Sequence, residues 1–242
     1  MRPFVTPLFE VSTEVDFEVR PVVEFRARSF QKAIVDRCPL HRQFPVVIIP
    51  PDEATPEQLN VTPAIYRFHA PDNKFSTFIG PRMVAANVLS WPGYDVYKKF
   101  VRDVVKSYLE LMDSPRPFRY SVGFYNRVPI ASVEEFKAVL AQPPSLGEQA
   151  SLEGLVYQNN SETQAGIALT QIMMRPPDDM TPEPFLSINN VIHNSCDNKE
   201  FTLDDLMNWL DRAHDIGKEM IWTLLSESVK SQWQPKSETG NG

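Results

Sequence analysis

The sequence predicts an α+β protein: a curved, mostly antiparallel sheet with helices on one face, built as two fused subdomains and closed by a long C-terminal helix. Three observations carry this expectation. Short apolar runs, several of them alternating with polar residues, are separated by turn residues, as in consecutive strands of one sheet. Two longer stretches, Tyr97–Met112 and Leu203–Leu225, place apolar residues at three- and four-residue steps, which lines one face of a helix. The 22 prolines among 242 residues are nearly double the average share of about 5%. They fall between the periodic segments and mark rigid turns.

From the N-terminus, Val11–Phe25 alternates weakly and reads as one or two strands broken at Pro21. Ser29–Cys38 reads as a short helix with Ser29 as its cap and Phe30, Ala33 and Ile34 inward. Val46–Ile49, bounded by Pro45 and Pro50, is a buried strand. Pro51–Pro63 is acidic and turn-rich, hence a surface loop. Ile65–His69 and Phe75–Ile79 flank Pro71-Asp72-Asn73-Lys74 as a hairpin, and Met83–Leu89 is another apolar run.

The stretch Trp91–Ile130 organises the middle of the chain. Asp95, just after Pro92-Gly93, is placed to cap a helix. Tyr97, Phe100, Val101, Val104, Tyr108, Leu111 and Met112 form its apolar face. Lys98, Lys99, Arg102 and Lys106 form the solvated one, with Asp103 in reach of Lys99 and Lys106. Pro115 and Pro117 stop the helix. Phe118, Tyr120, Val122 and Phe124 then alternate with Arg119, Ser121, Gly123 and Tyr125, as in a half-buried strand.

In the second half, Ser132–Leu140 opens with a capping box and reads as a short helix. Ala141–Gly154, with Pro143-Pro144 and two glycines, reads as a linker and divides an N-terminal subdomain, 1–140, from a C-terminal one, 141–242. Leu155–Tyr157 and Thr163–Met174 form a hairpin with Asn159-Asn160-Ser161 at its tip. Pro176–Pro184 is an acidic loop and Phe185–Ile192 a strand. Thr202 and Asp205 cap the last helix reciprocally, and Phe201 staples onto Leu206. Its stripe, Leu203, Leu206, Leu210, Ala213, Gly217, Met220 and Leu224, is widened by Trp209, Ile216, Ile221 and Leu225 and runs toward Pro235. A stripe this wide lines a core or an oligomer interface; core is the reading adopted.

Charge and composition narrow the function classes. The net charge is −7, but residues 1–130 carry 17 basic against 14 acidic residues and residues 131–242 carry 7 against 17. The acidic total argues against duplex nucleic acid as a partner, because phosphate binding needs a positive field. The +3 first half keeps nucleic-acid binding by that half as an alternative. Cys38 and Cys196 form no metal or redox motif. No apolar run approaches the 18 or so residues that span a bilayer, and the N-terminus has no signal-like apolar stretch. The expectation is a cytoplasmic protein with reduced thiols and no membrane association.

No pattern in the chain spells out catalysis. His41, His69, His193 and His214 have no ligand-spaced neighbours, so neither a metal nor another cofactor is expected. His193 stands near Cys196 and Asp197, the one Cys/His pairing. It supports an alternative reading, a hydrolase or nuclease assembled from scattered acids and His193. Asp52-Glu53, Asp178-Asp179 and Asp204-Asp205 are adjacent in sequence, where carboxylates point apart. No glycine-rich phosphate loop and no G-x-S-x-G elbow occurs. The expectation is therefore no catalytic residue, with a non-enzymatic protein favoured over that alternative.

One cluster qualifies as a partner-binding site: Arg119, Tyr125, Asn126 and Arg127, near the end of the central strand. Arginine and tyrosine are the side chains that dominate interface energetics. The competing explanation is structural, with Asn126-Arg127 closing the strand and pairing with acids of the second half.

Three segments also carry a resemblance. Pro92-Gly93-Tyr94 followed by Phe100, Phe118-Arg119 through Phe124-Tyr125-Asn126-Arg127-Val128, and Phe185–Trp233 with Trp209-Leu210, Ala213-His214 and Ile216 resemble the corresponding turn, strand and C-terminal strand–helix of a sporadically distributed bacterial TIGR family of unknown function. Gly123 stands where that family usually has a basic residue, and Phe124 where it has tyrosine. The resemblance implies a place in a mobile or accessory gene cluster, of the kind that holds antiviral defence or toxin–antitoxin proteins. Together these observations lead to one expectation: a non-enzymatic module that binds another protein, as a partner or chaperone-like component of such a cluster, with a homo-oligomer as a further expectation.

Overall fold

A computed structural model describes residues 8–17, 27–45, 64–80, 82–111, 116–130, 132–142, 156–176, 184–196 and 201–231. Among them are nine strands and five helices. In chain order these are β1 (Leu8–Phe17), α1 (Ala27–Ile34), β2 (Leu40–Pro45), β3 (Ala64–His69), β4 (Phe75–Gly80), β5 (Met83–Leu89), α2 (Tyr94–Leu111) and β6 (Pro117–Pro129). They continue with α3 (Val133–Val139), β7 (Val156–Thr163), β8 (Gly166–Arg175), β9 (Phe185–Ser195), α4 (Leu203–Leu224) and α5 (Glu227–Lys230). The fold is α+β. Its open sheet has the order β2-β3-β4-β5-β1-β6-β9-β8-β7, and the β2·β3, β3·β4, β4·β5 and β7·β8 pairs are antiparallel.

The chain divides into two compact units that interleave along the sequence. Unit 1 is Met1–Glu10, Gly123–Ile192 and Asp211–Gly242; unit 2 is Val11–Val122 and His193–Leu210. β1, β6, β9 and α4 each give one end to either unit.

In unit 2 the expected helix and hairpin form where periodicity placed them. Tyr97, Phe100, Val101, Val104 and Tyr108 are the buried face of α2. The Tyr97 hydroxyl pairs with Thr13 Oγ1 at 2.5 Å, and Tyr108 donates to the Gly80 carbonyl at 2.7 Å while its ring stacks on Phe17. Asp95 lies inside the first turn, one residue past the helix start, because Tyr97 N–H already bonds the Gly93 carbonyl at 3.1 Å. A carboxylate there still meets the positive end of the helix. Gly93, at φ +96°, supplies the left-handed backbone that makes the entry turn. The first helix likewise starts before Ser29, which is a helical residue and no cap; Phe30 and Ile34 are buried and Ala33 is exposed. The segment Leu40–Pro45 is a strand that its mixed composition did not announce, held by a six-residue register with β3. The expected strand Val46–Ile49 and loop Pro51–Pro63 lie outside the described residues, as do Pro21 and most of Ala141–Gly154.

Unit 1 packs helices on one face of its strands. Val128, Ile130, Ile172, Leu186 and Ile188 form a core with Phe136, Val139 and Leu140 of the α3 segment and with Ile221, Leu225 and Val229. Ser132 caps α3 as expected, accepting from Glu135 N–H at 3.2 Å. Two expectations are corrected. The tip of the β7–β8 hairpin is Gln164-Ala165, since Thr163 pairs with Gly166; Thr163 Oγ1 accepts from Ala165 N–H and Gly166 takes φ +120°. Asn159, Asn160 and Ser161 are strand residues. The last helix ends at Leu224, well before Pro235. There residues 139–141 pair with 224–226 as a short ladder, Ala141 N–H on the Leu224 carbonyl and Ser226 N–H on that of Val139. Those bonds take the backbone groups that a continuing helix would use. At its start the reciprocal cap forms, with Thr202 Oγ1 accepting from Asp205 N–H at 3.1 Å and Asp205 Oδ2 taking the Thr202 hydroxyl at 2.7 Å. Leu206, Leu210, Ala213, Gly217 and Ile221 are buried within the single chain.

Candidate functional site

Strand alternation decides where the four candidate residues go. On β6 the even positions Phe124, Asn126 and Val128 face the helices and are buried, while Tyr125 and Arg127 face away and are half-buried. Asn126 is therefore a core residue: its Nδ2 donates to the Ile188 carbonyl at 3.0 Å, which answers the cost of burying an amide. Arg119 lies in unit 2 on the same strand. It donates through Nε and Nη2 to Asp16 Oδ2 at 2.8 and 2.7 Å, with Glu14 Oε1 at 3.9 Å. Arg119 thus joins two acids of β1. Burial, then the neighbouring Asp16 carboxylate, push Glu14 up to about 6, and Arg119 pulls it the other way.

Tyr125 and Arg127 line a groove of about 470 Å³ on the face of unit 1 away from its described helices. The Arg127 guanidinium carbon sits 3.7 Å from the ring centre of Phe9 and 4.7 Å from that of Phe185. Both distances are within cation–π range, and two aromatic faces hold the planar fork in a fixed plane. Gly123 sets the pose of Tyr125: a Cβ at 123 would lie 2.6 Å from the Tyr125 hydroxyl and 2.8 Å from its ring carbons. The ring therefore lies back along its own strand, over the position that has no side chain.

Four further lining residues come from other strands. Ser187 and Asn189 on β9 share that face, and the Ser187 hydroxyl donates to Asn189 Oδ1 at 2.9 Å. Arg175 ends β8 and Glu10 comes from β1. Two arginines against one glutamate give the groove a cationic balance inside an acidic chain. Sequence reasoning missed Phe9, Arg175, Phe185, Ser187 and Asn189. The signal for the last two was present: Phe185–Ile192 alternates, so its odd polar positions had to share one face.

The remaining candidates stay apart from this groove. His193 lies within β9, two residues before its end at Ser195, and Cys196 just beyond the strand gives its backbone N–H to the Phe118 carbonyl at 2.8 Å; Asp197 lies outside the described residues. His214, on the helix side, is lowered in pKa by burial, with Asp215 at 3.5 Å acting in the opposite sense. Burial pushes the Cys38 thiol up to about 11, which keeps it protonated and a poor nucleophile. Among the described residues no three His, Cys, Asp or Glu side chains come together as a metal site, and no helix is long and apolar enough to cross a membrane. No protein-family model matches the chain, and no curated protein matches it either.

Proposed function

We propose that this chain is a non-enzymatic protein-binding module and that the unit 1 groove around Tyr125 and Arg127 is where it engages its partner. One observation carries the reading: an arginine clamped between two phenylalanine rings beside a tyrosine whose pose a glycine sets. Arginine and tyrosine dominate interface energetics when they are held rigidly before binding, because little side-chain entropy is then lost on association. Asn126 is buried and drops out of the contact surface, and Arg119, paired with Asp16 and Glu14, does not line the groove. The resemblance to a bacterial family of accessory clusters supports a setting in which the partner is encoded nearby, as for a chaperone-like or defence component.

The test is affinity purification of the full chain followed by identification of what it retains, and then measurement of binding with that purified protein. Arg127→Ala should weaken the complex by at least about thirtyfold, the scale of a hot-spot truncation of 2 kcal/mol. Arg102→Ala, on the solvated face of α2, should leave it unchanged. A partner whose affinity is indifferent to Arg127 would remove the groove from the proposal.

A further inference from the structure

β7 stands at the end of the strand order and, among the described residues, pairs only with β8. Val156 through Glu162 are all exposed, Val156 at 60% and Tyr157 at 39%. The pair Thr163↔Gly166 closes a two-residue turn, so its backbone groups bond each other and the orientation alternates from there. Glu162, Asn160, Gln158 and Val156 therefore turn N–H and C=O to the outer edge. Sheets usually guard such an edge with lysine, proline, a bulge or a very short strand. VYQNNSET has none of these: its register with β8 is unbroken over eight residues, and Glu162 is its one charge.

We propose that β7 accepts an added strand, namely an extended basic segment of a partner protein, hydrogen-bonded along the Val156–Glu162 edge. Main-chain bonds would supply affinity and alternate side chains specificity. Charge selects the occupant. Residues 131–242, which contain β7, carry 7 basic against 17 acidic residues. Pairing β7 with β7 of a second copy would bring two such segments together, whereas a Lys- or Arg-bearing strand is attracted. The side chains add a pattern. Tyr157 lies opposite Ile172 on the helix-covered face, and Val156 and Glu162 lie opposite Met173 and Ile167 on the other. An apolar residue suits the Val156–Tyr157 end and a cation the Glu162 end. This edge shares no residue with the groove, and the inference stands whether or not the groove binds a partner.

The test uses the ¹⁵N-labelled full chain and a blocked octapeptide of alternating lysine with valine or threonine. The control is the same peptide N-methylated at alternate amides, which keeps charge and side chains but removes donors along one edge. The unmodified peptide should slow hydrogen exchange at Gln158, Asn160 and Glu162 and leave Asn159 and Ser161, which face β8, unchanged. The methylated peptide should bind at least about tenfold more weakly. Asn160→Pro removes an outward donor and no inward one, so it should weaken binding similarly with the β8 ladder intact. Equal binding of both peptides, shifts confined to residues away from β7, or no protection up to the peptide's solubility would overturn strand addition. Concentration-dependent protection of the same three amides without peptide would make the occupant a second copy and overturn the choice of a basic segment.

Discussion

Gly217→Ala sets two effects of opposite sign against each other. Alanine in a helix interior is favoured over glycine by roughly 0.8–1.0 kcal/mol, and at most exposed positions of α4 that gain would appear as added stability. Gly217, however, is buried and faces β6. The new methyl would overlap Phe124 Cε2 and lie 2.6 Å from Cδ2, against the 3.5–4.0 Å of ordinary carbon contacts. The ring is a rigid plate, 5% exposed, with His214 on another side at 6.3 Å between ring centres. It has little room to give the ångström or so required. Overpacking of this kind costs about 1–3 kcal/mol, which leaves a net destabilisation of about 1 kcal/mol after the helical gain. At this chain length that is roughly 2–4 °C in melting temperature. Urea denaturation followed by far-UV circular dichroism gives the free energy, and a Phe124→Leu background gives the cause. Phe124→Leu alone should destabilise, but Gly217→Ala placed on it should recover at least about 1 kcal/mol as favourable coupling. Stabilisation by Gly217→Ala in the native background would refute the reasoning, because the helix would then be free to move off the ring.

Two further outcomes follow from burial and charge. Leu210, fully buried on α4, should cost about 2–5 kcal/mol when truncated to alanine, whereas exposed Lys218→Ala should change the melt within about 0.5 kcal/mol; parallel light scattering must show no change in mass, since a dissociating oligomer would place the stripe at an interface. Glu14 has its folded pKa raised from 4.5 to about 6, so its contribution is fully present below pH 4.5 and is lost as the pH rises to about 6; with the side chain 38% exposed, solvent screening reduces this to under about 1 kcal/mol. Glu14→Gln should therefore be more stable than the parent at pH 7, with a flatter profile between pH 4.5 and 6, and an unchanged slope there would show that Glu14 is not the titrating group.

Much of the local architecture was legible in the residues, because periodicity and capping are properties of neighbours in the chain. The face of α2, the Ser132 and Thr202 caps, and the split of β6 into Phe124-side and Tyr125-side residues all follow from spacing alone. The same alternation already implied that Asn126 could not share a surface with Tyr125 and Arg127. Turn preference points to a hairpin tip at Asn159–Ser161, yet Thr163 supplies the hydroxyl acceptor and Gly166 the positive φ that close the turn at Gln164-Ala165. The apolar stripe alone carries the last helix toward Pro235, yet backbone bonds from the α3 segment end it at Leu224. The groove was beyond reach for a different reason. Phe9, Arg127, Arg175 and Asn189 come from β1, β6, β8 and β9, and only the order in which strands pair makes them neighbours. Strand order is set by contacts between residues far apart in the chain, where loop closure and core packing, not local propensity, select the partner. Spacing between neighbours in the chain sets which side chains share a face of each element, whereas long-range packing sets which elements stand side by side.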